Sequence, residues 1–194
     1  KDLWPESVKD GGNLKSNFFP NILTPLVKYI YKNCDEILVS SRSFIESINT
    51  KVKNKKITYV PEWGEKIFID KKKIKFENEL IENIKNFKII FAGNIGIAQD
   101  FDTMIKAMEI LKNLPITLIV IGDGRDKDRI LKKTLELNLS DNIIFLGSFS
   151  IDKMPYFFSH ADALIISLKK SDIFSKTVPS KTQSYMSYGK PILT

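Results

Sequence analysis

The sequence predicts an α/β protein, a parallel sheet with helices on both of its faces. Two observations lead there. From Phe87 onward, short apolar runs such as Phe87–Ala92 (FKIIFA) and Ile116–Ile121 (ITLIVI) recur without polar alternation, the pattern of strands buried on both faces. Amphipathic stretches of helical period separate them, as the crossovers between parallel strands require.

The elements follow in order. Residues 21–33 read as a helix disturbed by Pro25, 37–39 as a short strand, 41–48 as a helix capped by Ser40 or Ser41, and 57–60 as another strand. Pro61-Glu62-Trp63-Gly64 breaks the pattern, and a lysine-rich, weakly structured stretch is expected to about Asn83. After the strand Phe87–Ala92, residues 100–112 form a helix, with Phe101, Met104, Ile105, Met108 and Leu111 at helical spacing. Strand Ile116–Ile121, helix 125–137, strand 142–146, helix 151–159 and strand 163–168 come next. The last helix, 180–188, has its first turn just after Pro179, and 191–194 starts a further strand.

With 194 residues, 43% of them hydrophobic, the chain can build one domain, or one domain and part of a second; disorder is excluded. A collagen-like chain is excluded by only 9 Gly and 8 Pro. Cys34 is the single cysteine, so a disulfide-stapled scaffold is ruled out and a reducing, cytoplasmic setting is expected. The longest apolar runs fall far short of the roughly 20 residues that span a bilayer. No signal peptide and no initiator Met are present, and the sequence stops where an apolar strand has begun, so both ends read as cut and a fragment is expected. The net charge of +7 comes from lysine, concentrated at 51–56 and 71–75, since Arg42, Arg125 and Arg129 are the only arginines. A lysine surface suits solvation, phosphorylated ligands or an anionic membrane face; the scarcity of arginine argues against nucleic acid.

In an open parallel sheet, ligands sit at the carboxyl ends of the strands against helix N-termini. Three strand ends have suitable chemistry. Gly93-Asn94-Ile95-Gly96 follows the strand that ends at Ala92, and its glycines let backbone N–H groups approach an anion. Gly122-Asp123-Gly124 makes a tight turn after Ile121. A long polar loop after Leu168 ends in Pro179-Ser180-Lys181 at a helix start, where a lysine beside exposed N–H groups is a good diphosphate clamp. Each element alone is also ordinary turn or cap geometry; together they favour a nucleotide-type ligand.

The ordered series GNIG (93–96), IGDGRDKDRI (121–130), NIIFLGSF (142–149), SHADALIISL (159–168) and PSKTQSYMSYGKPIL (179–193) resembles the C-terminal half of a GT-B glycosyltransferase of family 4 type. The branch is that of bacterial O-antigen and capsule synthesis, including amino-deoxysugar transferases. Asp2-Leu3-Trp4-Pro5-Glu6-Ser7, DEILVSSRSF (35–44) and Tyr59-Val60-Pro61-Glu62-Trp63 resemble it too, so the likeness covers nearly the whole chain. It implies two Rossmann-like domains: residues 1–60 would end the N-terminal, acceptor-side domain, 61–86 would be a linker and lysine-rich lead-in, and 87–194 an incomplete donor domain. It further implies a sugar moved with retention from a nucleotide-diphosphate sugar, UDP-linked by expectation, to a polyprenyl-diphosphate-linked glycan. No metal or other cofactor is implied, because cationic side chains and a helix terminus neutralise the leaving group. The setting would be cytoplasmic, with peripheral contact at the inner membrane face.

Carried over position by position, Gly93 and Gly96 match the Gly-rich turn near the diphosphate, with Asn94 between them. Leu146, Gly147 and Phe149 match the strand end that packs on the base, and Pro179, Ser180 and Lys181 the segment reaching phosphates and ribose. Beside these, Gly122 and Asp123 are expected near the donor, where Asp123 either hydrogen-bonds it or serves the turn. The main catalytic side chain is expected in the absent N-terminal part, so that the fragment alone would be inactive. The departures are specific. Many members carry Arg after the first glycine and Lys about six residues on; here stand Asn94 and Gln99 or Asp100. The Glu-x7-Glu motif would fall on Lys176 and Ser184, and both acids are absent. Lys181, with Lys176, is expected to supply the missing charge, and Gln183 or Ser184 the ribose hydrogen bonds.

His160 reads as a helix-end or surface residue, Tyr185 as helix packing, and Trp4 and Trp63 as packing residues at the domain junction. Two other readings remain: a GT-B sugar epimerase, disfavoured by the scarcity of His, and a non-catalytic nucleotide-binding module. A dinucleotide dehydrogenase is least compatible, since the glycines do not form GxGxxG.

Overall fold

The computed structural model describes residues 3–7, 18–70 and 75–194. It divides into two compact units, Lys1–Glu62 with Lys169–Pro179, and Trp63–Leu168 with Ser180–Thr194.

In the first unit, helix α1 (Phe18–Asn33) is followed by β1 (Glu36–Val39), α2 (Ser43–Asn49) and β2 (Lys56–Tyr59). The strands pair in parallel from Glu36↔Lys56 to Val39↔Tyr59. Ile37 and Val39 point into a small core with Leu3, Phe44, Ile48 and Ile173, while Leu38 between them is exposed, the alternation of a strand with one covered face. Two local expectations fail. α1 runs unbroken through Pro25, which is exposed, so water can reach the carbonyl left without its N–H partner. Neither Ser40 nor Ser41 caps α2 by its side chain; Arg42 stands at the cap position, and the buried Ser41 lends its backbone carbonyl to Phe44 N–H at 3.2 Å. The lysines of 51–56 are largely committed within this unit. Lys51 pairs with Glu6, Lys55 donates to the carbonyls of Lys32 and Cys34, and Lys56 pairs with Glu36. Most of the second lysine run, 71–74, lies outside the described residues, as do Lys1 and Asp2.

The second unit is a five-stranded sheet in the order β5-β4-β3-β6-β7, parallel throughout. Its strands are β3 (Phe87–Ala92), β4 (Ile116–Ile121), β5 (Ile143–Gly147), β6 (Ala163–Ile165) and β7 (Ile192–Leu193). Helices α5 (Phe101–Ile110) and α6 (Lys127–Glu136) follow β3 and β4, while α7 (Met154–His160) and α8 (Lys181–Tyr188) precede β6 and β7. Alternate residues of the strands feed two cores. Ile89, Phe91, Leu118 and Val120 meet Phe101, Met104, Ile105 and Ile130 on one face. Ile90, Ile119 and Ile121 meet Phe157, Phe158 and Tyr185 on the other. Burial on both faces is why these strands read as continuous apolar runs. Among the described residues, no helix is long and apolar enough to cross a membrane.

The stretch expected to be weakly structured instead carries α3 (Lys66–Ile69) and α4 (Glu79–Asn83). Phe68 and Ile81, at 2% and 0% exposure, enter the second core, so two apolar anchors outweigh the poor local pattern. β6 is shorter than expected because the chain leaves the sheet, and residues Lys169–Pro179 pack in the other unit.

The strand order reverses at β3, whose two neighbours are β4 and β6. There the β3–β6 ladder ends at Ile90↔Leu164, and the N–H of Ala92 is taken by the Tyr185 hydroxyl at 2.9 Å. Tyr185 is 1% exposed, and burial raises its hydroxyl pKa, so it stays a neutral donor and acceptor. Tyr185→Phe leaves the part-buried Ala92 N–H without this partner and is expected to cost about 1 kcal/mol in urea unfolding; an unchanged midpoint would show that the bond contributes nothing.

Candidate functional site

The crevice outside the carboxyl ends of β3 and β4 is built by two turns in close approach. Gly93 and Gly122 both adopt φ +142, and a Cβ on Gly122 would fall 1.9 Å from the Gly93 carbonyl oxygen, so only glycine fits at 122. Backbone bonds hold the turns together: Gly93 N–H to Ile121 O at 2.9 Å, Ile95 N–H to Asp123 O at 2.8 Å, and Gly122 N–H to Gly147 O at 2.8 Å. Gln99 braces the first turn from inside, its side-chain oxygen accepting from Gly96 N–H at 3.1 Å and Asn94 Nδ2 at 3.4 Å. Asp100, in the left-handed region at φ 46, starts α5 and accepts from Thr103 Oγ1.

A cavity of about 410 Å³ opens at this crevice, wholly within the second unit. The β3 and β4 turns supply Gly93, Asn94, Gly122 and Asp123; the chain after β5 supplies Ser148, Phe149 and Ile151. Met154, Phe158 and Phe68 form an apolar wall, and α8 contributes Lys181, Ser184 and Tyr185.

Lys181 dominates its electrostatics. Its Nζ is buried and, among the described residues, has no hydrogen-bond partner. It lies 3.7 Å from the centroid of the Phe91 ring and would be 2.9 Å from a Cβ on Gly93. The ring face offers partial compensation, yet burial still pushes the ammonium down to about 8 from its ordinary 10.5. The opposite charge on the rim is Asp123, whose carboxylate accepts from Gly124 N–H at 2.8 Å and pairs with Lys127 at 3.2 Å. Those contacts hold its pKa below the usual value. A cationic floor, amide-lined turns and an apolar wall can hold an elongated ligand with an anionic centre and a flat apolar end.

The structure brings together Gly93, Asn94, Gly122, Asp123, Phe149, Lys181 and Ser184 around one cavity. Leu146, Gly147, Gly96, Pro179, Ser180 and Gln183 do not line it. Gly147, at φ +80 beside a register shift between β4 and β5, carries the chain to Ser148 and Phe149, and Leu146 packs against the core. Gly96 closes the turn onto Gln99. Pro179 belongs to the other unit, and Ser180 precedes α8 without a side-chain capping bond. Lys176, the second cation that the sequence offered, belongs to the other unit and pairs with Asp172 at 3.3 Å. His160 ends α7 with Nδ1 3.0 Å from the Tyr156 carbonyl oxygen, and Trp63 is 81% exposed rather than packed. Sequence reasoning missed Phe68, Met154 and Phe158, which reach the cavity by tertiary packing, and Ser148, which the strand end before it could have indicated.

Comparison with known proteins gives a consistent picture. The family model described as "Glycosyl transferases group 1" matches residues 70–194. A probable glycosyltransferase, WbjE, of Pseudomonas aeruginosa is 25% identical over 99% of this chain and 48% of its own length. The N-acetylgalactosamine-N,N'-diacetylbacillosaminyl-diphospho-undecaprenol 4-alpha-N-acetylgalactosaminyltransferase of Campylobacter jejuni is 28% identical over 74% of this chain and 37% of its own. Among solved structures, Anabaena Alr3699/HepE in complex with UDP superposes with a TM-score of 0.67 at 14% identity, over 92% of this chain and 49% of that one. The chain thus spans about half the length of WbjE and less of the Campylobacter protein.

An unpaired buried ammonium costs folding energy, which gives a test with a defined sign. The folded pKa of Lys181 lies below its ordinary value, so the unfolded chain binds more protons between pH 8 and 10.5, and this penalty is full below pH 8 and relieved as pH rises through that window. Lys181→Met is therefore expected to raise stability at pH 7 by about 1–3 kcal/mol and to give far less at pH 10. Thermal melts at both pH values check it; a variant less stable at both would make Lys181 a structural residue.

Proposed function

The chain belongs to the group 1 glycosyl transferases, and on that premise we propose that its second unit holds the nucleotide-diphosphate sugar donor of a glycosyltransferase in cell-surface glycan synthesis. The observation that carries the reading is the Lys181 ammonium, buried without a hydrogen-bond partner among the described residues, above Gly93 and facing the cavity. A diphosphate supplies the counter-charge that this group lacks. Gly93 and Asn94 approach it from the β3 turn, and the base lies toward Phe149, Ser148 and Ile151.

The same placement suits the chemistry. When the anomeric C–O bond breaks, the electron pair leaves with the diphosphate, and a fixed ammonium in an apolar surround stabilises that growing charge more than it stabilises the bound donor. Neutralisation is thereby assigned to Lys181 and backbone N–H groups, with no resident metal. We assign UDP as the nucleotide, which the UDP complex of the Anabaena neighbour supports, and transfer with retention, which the family resemblance supports. A polyprenyl-diphosphate-linked glycan is the proposed acceptor, in line with the diphospho-undecaprenol substrate in the name of the Campylobacter relative.

Calorimetric titration of the 194-residue chain with UDP, GDP, ADP and NAD tests the donor reading. UDP is expected to bind selectively, and Lys181→Ala to weaken it by at least tenfold, the scale of a lost charge-assisted contact. Lys190→Ala serves as control, since that ammonium holds the carbonyls of Ser159 and Ala161 at the end of α7. Bound diphosphate returns the Lys181 pKa toward or above 10.5, so the dissociation constant should be flat below about pH 8 and rise roughly tenfold per pH unit above it. Equal effects of the two lysine variants, or a preference for NAD, would overturn the reading.

A further inference from the structure

Lys181 reaches its position by crossing the carboxyl end of β3. Its helix, α8, packs through Tyr185 with Ile90 and Ile119 on one face of the sheet, whereas Phe91 belongs to the core of the opposite face. The lysine side chain nevertheless ends over Phe91, with Nζ 3.7 Å from the ring centroid. Gly93 leaves that route open, since a Cβ there would stand 2.9 Å from Nζ. The ring is held in turn. Phe91 is 0% exposed and meets Phe101, the first residue of α5, edge to face with centroids 4.8 Å apart, and a side chain packed this closely has little freedom to swing away.

The other charged and titratable groups around the ammonium have partners elsewhere. Asp123 accepts from Gly124 N–H and pairs with Lys127, and the Tyr185 hydroxyl serves Ala92. On α5, Asp100 accepts from Thr103 and Asp102 pairs with Arg129. Ahead of α3, the exposed Glu65 accepts from Ser184 at 2.7 Å. The aromatic face is therefore the feature that favours a charge at Nζ. It does so in a way that suits an anion site. A carboxylate in its place would hold the ammonium harder, but it would repel an arriving diphosphate and have to be displaced by it. A ring attracts the cation at contact and carries no net charge to oppose the ligand. We propose that Phe91 is a positioning residue, whose ring face keeps the Lys181 ammonium charged and aimed into the cavity until a diphosphate arrives. The inference rests on the donor-site reading above, and it gives a core residue of β3 a part in ligand affinity.

The test changes the charge distribution of the ring while keeping its shape. Phenylalanine analogues carrying one, two or three ring fluorines, placed at position 91 of the 194-residue chain, withdraw electron density from the ring face and weaken the cation–π attraction stepwise. UDP titrated at pH 8, where the ammonium stands near its own midpoint, is expected to bind more weakly with each fluorine, by about three- to tenfold over the series. The pH at which affinity begins to fall should move below 8 along the same series. A ring needed only for packing would move neither readout. Proton NMR of the wild-type chain supplies a measurement that needs no change at position 91. The Lys181 ε-methylene signal, identified by its loss in Lys181→Met, is expected upfield of the other lysines because it lies over the ring. It should return among them in Phe91→Leu. Affinity that stays level or rises along the fluorine series, or an ε-methylene signal among the other lysines in the wild type, would overturn the role of Phe91. UDP binding that still weakens with Lys181→Ala would then leave the donor reading standing. Failure of the wild type to bind UDP would overturn both.

Discussion

A buried ammonium without a counter-charge is the constraint around which the strand ends are arranged, and Lys181 supplies it. Its nitrogen rests on the Phe91 ring above Gly93, beneath the side chain of no acid among the described residues. Tyr185, one turn along α8, fastens that helix to the end of β3 through Ala92. The helix, the strand end and the charge are therefore one mechanical unit, and the strand ends around them are shaped to it. Gly93, at φ +142, holds a backbone conformation that side chains rarely adopt, and Gly122 must lack a side chain because the Gly93 carbonyl occupies the space.

The sheet makes this arrangement possible. β3 is its central strand and the point at which the order reverses, with β4 on one side and β6 on the other. Helices following β3 and β4 cover one face, those preceding β6 and β7 the other, and the crevice opens between the two sets. An ion-pair network outside the cavity steadies the first set: Arg129 bridges Asp126 and Asp102, and Lys133 also reaches Asp102. The network joins α5 to α6, so the loops before them, which include both glycine turns, are held from behind.

How legible all this was depends on how local the determining signal is. Strands β3 and β4 could be read residue by residue because burial on both faces writes an uninterrupted apolar run. The glycine turns and Lys181 could be read because strand ends in a parallel sheet are the expected ligand positions. α3 and α4 could not, since Phe68 and Ile81 are isolated apolar residues in a lysine-rich stretch and gain meaning only from the core they enter. The missing cap at α2 is similar: Ser40 and Ser41 were plausible by type, but Ser41 is buried and its carbonyl, not its hydroxyl, meets the helix. Lys176 was offered with Lys181 because it stands at the first acid position of the motif, and the chain between the two crosses from one unit to the other.

Position in a motif and position in space part company most clearly around Ser184. By sequence, the acid expected at position 184 of this helix is absent, and a reading by motif alone would count the site as weakened. In space, a carboxylate reaches Ser184 from Glu65, just as a cation reaches the β3 turn from Lys181, 88 residues after Gly93. Physical chemistry constrains only where the side-chain ends meet, because a ligand responds to local charge and donors and not to chain order. A helix packed against two other segments can receive an acid from one and give a base to the other. Gly64 and Phe68 on one side, Gly93 on the other, are the contacts that set those distances, and they are packing residues rather than chemical ones. For this chain, small and aromatic residues hold the charged ends around the crevice in register.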